Sequence, residues 1–146
     1  MNKTLLAVFA LFVLAVNTAQ ARDDRLHFSI EEAMNTADAK AKLNKGYTFL
    51  FGDSKSAEVV ENFGEFQSNK KTNAFGKKDK TACQWAFLTA MLSFQERIAS
   101  EGGNAVINIR SYYKKHEFSS ETEFECGAGG LMAGVTFKGD VVTLKE

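Results

Sequence analysis

The chain has 146 residues, 45% hydrophobic and 25% charged, and its 18 Lys and Arg residues balance its 18 Asp and Glu residues. That composition fits one globular domain and excludes a disordered or fibrous chain. A balanced charge gives no bulk attraction to nucleic acid or to an anionic bilayer. Proline is absent and there are two cysteines, Cys83 and Cys126.

The N-terminus reads as an export signal. Met1-Asn2-Lys3 is short and basic, residues 5–16 form an apolar run, and Asn17-Thr18-Ala19-Gln20-Ala21 supplies small residues in an A-x-A pattern. These are the three parts of a secretory leader, with cleavage expected after Ala21. The run falls short of the roughly 20 residues that span a bilayer. No cysteine near the cleavage point invites lipidation, so no stable membrane anchor is expected. The expected product is one periplasmic or secreted domain over 22–146.

Ser29-Ile30-Glu31-Glu32 is a capping box opening an alanine-rich helix over about 30–43, with Ile30, Ala33, Met34, Ala37 and Ala41 as a thin apolar seam. Asn44 and Gly46 stop it. Residues 47–51 alternate aromatics as a short strand, and 59–67 read as a second. Residues 68–80 are polar and basic and read as a loop. The main helix runs over about 79–100 and ends at Gly102-Gly103. At 100° per residue it has two apolar faces. The broad one carries Cys83, Ala86, Phe87, Ala90, Met91, Phe94 and Ile98, and suits a sheet. The narrow one carries Trp85, Leu88 and Leu92. It needs the first helix or a second subunit, and so is a candidate oligomer face.

Residues 104–115 and 117–126 read as a hairpin turning at Lys115-His116. Its register sets Tyr113 against Phe118, Ile109 against Thr122, Ile107 against Phe124 and Ala105 against Cys126, with Arg110 facing Glu121 and Asn108 facing Glu123 on the other side. Gly127-Ala128-Gly129-Gly130 is a bend. Leu131, Ala133, Val135 and Phe137 alternate along a further strand. Gly139-Asp140 then reads as a two-residue turn, with Val142 and Leu144 returning. The fold class is α+β: a single domain with a mostly antiparallel sheet and both helices on one face. Cys83 on the broad helix face and Cys126 on the core side of a strand aim into one layer. They are expected to form a structural disulfide, worth roughly 3–4 kcal/mol over a loop of about 43 residues.

Few residues carry chemistry. His27, His116 and the cysteines match no zinc or EF-hand spacing, so no metal or cofactor is expected. The glycines at 127–130 lack the lysine and hydroxyl of a phosphate-binding loop. No nucleophile sits beside a base, so no catalytic constellation is expected. Two basic-aromatic clusters remain as candidate partner-binding residues. The first holds Lys70, Lys71, Phe75, Lys77, Lys78 and Lys80; the second holds Tyr112, Tyr113, Lys114 and Lys115. They suit an acidic envelope protein or an anionic envelope component. The alternative is a metal or small-ligand binder using Glu121, Glu123, Glu125 and His116.

Several segments resemble a family of small exported proteobacterial proteins: Asn69-Lys70-Lys71-Thr72-Asn73-Ala74-Phe75, Cys83-Gln84-Trp85-Ala86-Phe87-Leu88, Glu101-Gly102-Gly103-Asn104-Ala105-Val106, Ser111-Tyr112-Tyr113-Lys114-Lys115 and Glu125-Cys126-Gly127-Ala128-Gly129. Members often carry the label "excinuclease ATPase subunit". That activity needs Walker motifs and zinc-binding cysteine clusters, which this sequence lacks, so it is not carried over. More distantly, the helix followed by Gly102-Gly103-Asn104-Ala105-Val106 resembles the α/β core of RcsF and YbjQ-like domains. That likeness implies a long helix against a sheet and, from YbjQ-like domains, a candidate homo-oligomer. The lipid-anchor cysteine and second cysteine pair of RcsF are missing. The overall expectation is a non-enzymatic binding domain of the cell envelope.

Overall fold

The computed structural model describes residues 21–146; the expected leader and its cleavage point fall mostly outside them. The chain runs β1 (Asp24–Ser29), α1 (Ile30–Met34), α2 (Ala37–Lys42), β2 (Thr48–Phe51), β3 (Val59–Asn73), α3 (Asp79–Glu101), β4 (Ala105–Ser111), a 3-10 turn (Tyr113–Lys115), β5 (Glu123–Ala128) and β6 (Met132–Leu144). The class is α+β, as expected: six strands, mostly antiparallel, with one long helix, shorter ones and one disulfide.

The sheet is organised around β6. One edge of β6 pairs antiparallel with β3 along its whole length. The other edge is divided: Gly134 and Ala133 pair with β5, and residues from Phe137 to Val142 pair with β4. Beyond β5 lies β1, antiparallel, and beyond β4 lies β2, parallel. The sheet therefore forks, and the segment between β4 and β5 crosses the fork.

The broad face of α3 seats on this sheet. Cys83, Ala86, Phe87, Ala90, Met91, Phe94 and Ile98 are all buried. Phe87 meets Phe51, Phe124 and Phe137 at ring centroid separations of 6.0, 4.7 and 5.6 Å. Each such ring withdrawn from water contributes roughly 1.5–3 kcal/mol. Cys83 and Cys126 are bonded within this layer, their Cα atoms 5.9 Å apart and both residues fully buried. Gly102 closes α3 in the left-handed region (φ 81°), its N–H donating to Ile98 O.

Four expectations are corrected, and one element was not expected at all. The first element is a strand, β1, whose alternation Arg25-Leu26-His27-Phe28 is short. The helix expected over 30–43 is two, because Thr36 caps a fresh start: its hydroxyl accepts from Ala39 N and donates to Ala33 O. The loop expected over 68–80 is strand up to Asn73, since β6 supplies a hydrogen-bonding edge that polar residues can use.

The expected hairpin of 104–115 with 117–126 does not form. β4 takes β6 and β2 as neighbours, β5 takes β1 and β6, and the two segments share a single bridge, Ser111 with Phe118. Of the pairings tied to that register, Arg110 instead bonds Glu65 and Glu117. The turn expected at Gly139-Asp140 is also absent. β6 continues through it because partners on both edges satisfy its backbone there. Gly139 answers a close approach: a Cβ there would sit 2.6 Å from Val106 Cγ1.

The narrow helix face is covered by α1 and α2. Leu88 is 3% exposed, Leu92 is half-buried and Trp85 is 36% exposed beneath the Lys42 ammonium, 5.2 Å from its ring. Gln95 ties down the same cover, accepting from Asn44 N at 2.6 Å and donating to Lys42 O. Of the two partners that face required, the first helical segment is the one in place.

Candidate functional site

Alternation along the strands divides the sheet into two faces. Phe124, Cys126 and Ala128 of β5 face α3, so Glu123, Glu125 and Gly127 face away. On β3, Ser68 and Thr72 donate to carbonyls of α3, so Asn69 and Lys71 lie on the far face. Asn69 accepts there from the Thr136 hydroxyl at 3.1 Å. The segment 112–122 crosses this far face as a strap.

Two anchors hold the strap. At the first, Phe118 stacks on His27 with centroids 4.1 Å apart. Beside them the Glu125 side chain is 1% exposed. Its Oε1 accepts from Arg25 at 3.3 Å and lies 3.2 Å from His116 Nδ1, while its Oε2 lies 3.1 Å from His27 Nε2. A buried carboxylate demands such neighbours. At the second anchor, the Tyr113 ring lies flat over Gly127 and Gly134. A Cβ at Gly127 would overlap the ring itself. The Tyr113 hydroxyl donates to Asp23 Oδ1 at 3.0 Å, and Lys114 pairs with the same carboxylate. The Lys114 bond holds the Asp23 carboxyl below its ordinary range. Burial, with Asp23 alongside, pushes the Tyr113 hydroxyl up. Lys114 and Lys115 sit at φ 48° and 63°, left-handed values that non-glycine residues rarely adopt. Consecutive strain of this kind concentrates at functional segments.

Beside Tyr113 opens a hollow of about 750 Å³, floored by Gly127, Gly129 and Gly134 and rimmed by Lys71, Lys114 and Leu131. The two basic-aromatic clusters converge here: Lys71 comes from the first, Tyr113 and Lys114 from the second. Lys114 is engaged by Asp23, and Arg22 at the rim by Asp24 and Asp79. Lys71 has no ion-pair partner among the described residues. At the same end of the β3–β6 pair, Ala74 N donates to Leu131 O, which brings the turn bearing Phe75 alongside Leu131 and Met132. Phe75 is 73% exposed, Leu131 67% and Met132 47%. Lys77 and Lys78 lie on that turn, Lys77 Nζ donating to Asn73 O.

The remaining expected site residues lie elsewhere. Lys70 shares the helix-facing side of β3 with Ser68 and Thr72. Lys80 pairs with Glu32. Tyr112 carries the Lys138 ammonium 3.6 Å over its ring, and Lys115 is exposed. The carboxylate row does not converge: Glu121 and Glu123 are exposed, Glu125 is buried, and the described residues contain no His, Cys, Asp or Glu group arranged to hold a metal. Asp23 and Arg25 have no role in the sequence reading, and His27 enters it only as a residue outside any metal spacing, because no strand is placed there over Asp24–Ser29. The alternation of Arg25 and His27 with Leu26 and Phe28 was the available signal. No helix among the described residues is long and apolar enough to cross a membrane. No family model, curated protein or solved structure matches the chain.

Proposed function

We propose that the chain is an exported, non-enzymatic binding domain of the cell envelope that takes an acidic, partly apolar protein partner at the hollow beside Tyr113. One observation carries the reading: the fold gathers Lys71, a cation without an ion-pair partner among the described residues, with Tyr113 and the exposed Phe75, Leu131 and Met132 at one end of the far face. Aromatic and apolar groups beside a cation are the composition of an interface centre rather than of a solvated surface. The disulfide supports an oxidising compartment. The histidines support a structural role, since both face the Glu125 carboxylate rather than a serine or cysteine nucleophile.

The test is affinity capture from periplasmic extract with the wild type, with Lys71→Glu/Leu131→Ser, and with Lys70→Ala/Lys115→Ala, which changes basic residues outside the hollow. The expected result is a partner recovered by the wild type and the second variant and lost with the first. Equal recovery by all three removes the hollow from the reading.

A further inference from the structure

We infer that β3 is a self-association edge and that the chain forms a two-fold dimer through antiparallel β3–β3 pairing. β3 hydrogen-bonds to β6 along one edge, and no strand among the described residues covers the other. The bulges of β3 are confined to its start; from Gly64 to Asn73 its register against β6 is unbroken. A long, regular, uncovered edge presents a row of free N–H and C=O groups to any second strand. Natural edges are commonly blunted by bulges, prolines or charges; this stretch carries no bulge or proline, and its charges, Glu65, Lys70 and Lys71, are of both signs.

Its charge is instead self-complementary. The first half of β3 and the approach to it carry Glu58, Glu61 and Glu65, and the second half carries Lys70 and Lys71. A two-fold axis sets residue i against j and j against i. Antiparallel copies therefore lay the acidic half on the basic half, whereas parallel copies set Glu on Glu. Centring the axis on Ser68 pairs Glu65 with Lys71 of the second copy and Gln67 with Asn69 of the second copy. Both pairs fall twice, and both lie on the far face. Glu65 is already bonded on its inner side to Arg110 and Lys138, and Lys71 has no ion-pair partner among the described residues, so in the dimer a second copy's Glu65 competes with an acidic partner for it. On the helix face Phe66 is capped by Arg97, 4.4 Å from its ring, which shields that ring next to the seam. The dimer sets two hollows on one continuous sheet surface, on either side of the axis.

The test is sedimentation equilibrium of the chain as recovered after export, from about 3 to 300 µM, with amide hydrogen exchange at both ends of that range. The expected result is a monomer–dimer equilibrium in which amides within 64–72 become protected as concentration rises. In Lys71→Glu, which sets Glu against Glu65 twice, dimerisation should weaken by tenfold or more while the monomer's near-ultraviolet circular dichroism is retained. A wild type that stays monomeric at 300 µM overturns the inference. So does a dimer without concentration-dependent protection in β3, or one that Lys71→Glu leaves unchanged.

Discussion

Gly127→Ala isolates the contact on which the strap depends. The backbone of Gly127 is ordinary strand, so its glycine is not required by φ; it is required by the Tyr113 ring, which occupies the space of a Cβ. The flanking strand β6 cannot retreat, since it is hydrogen-bonded on both edges. The ring must leave. Tyr113 is 8% exposed, and losing an aromatic burial of that kind costs roughly 1.5–3 kcal/mol. The bond to the partly exposed Asp23 adds about 0.5–1 kcal/mol. Gly127→Ala should therefore destabilise by about 3 kcal/mol. In a Tyr113→Ala background the clash is gone, and alanine is better than glycine in a strand by roughly 0.5–1 kcal/mol. There the same substitution should be neutral or stabilising. Gly134→Ala should cost less, about 1 kcal/mol, because its Cβ would stand 3.0 Å from the ring edge and a small tilt relieves it. Urea unfolding of the four members of the Gly127–Tyr113 cycle gives the coupling directly. Equal costs of Gly127→Ala in both backgrounds, within about 0.5 kcal/mol, would refute the account of the glycine.

Replacing both Cys83 and Cys126 with alanine should lower stability by about 4 kcal/mol, the chain-entropy value for a separation of 43 residues; a loss under about 1 kcal/mol in urea unfolding would show that the crosslink constrains little. The pH dependence should have two limbs. Lys114 holds Asp23 low and Arg110 holds Glu65 low. Folded values below unfolded ones mean these carboxylates add stability above the ordinary carboxylate range, near pH 4, and lose it as pH falls through their folded values. Tyr113 is raised, chiefly by burial, so its contribution is full below about pH 10 and is lost as pH rises through its folded value. Urea midpoints against pH should show a shallower acid limb in Asp23→Asn/Glu65→Gln and a shallower alkaline limb in Tyr113→Phe. Unchanged limbs would mean that neither contact matters to folding.

Much of the core was legible because it rests on one helix. The 3.6-residue period of α3 alone assigns Cys83, Phe87, Met91, Phe94 and Ile98 to one side, and any sheet that covers that side buries them. The two-residue period likewise put Phe124 and Cys126 together on the inner face of β5, so the disulfide followed from two local patterns. The site was only half legible. Lys71, Tyr113 and Lys114 were visible as basic-aromatic residues, but nothing local says that residues some forty positions apart share a hollow. Lys70 and Lys71 look alike in sequence and lie on opposite faces of β3.

Strand pairing could not be read at all from the same patterns. The hairpin register for 104–126 satisfied every local criterion, sorting apolar from polar and opposing charge to charge. It fails because adjacent segments are not the best partners available: β6, thirteen residues long, offers β4 and β5 separate stretches of one edge. Side-chain alternation states which face a residue takes, and it is silent on which strand lies alongside. The sequence by itself therefore determined the layers of this protein and the buried cysteine pair. Only the tertiary structure decided the fork in the sheet, the strap over Glu125 and Gly127, and the uncovered edge of β3, because each depends on hydrogen bonds between backbone groups that every residue carries alike.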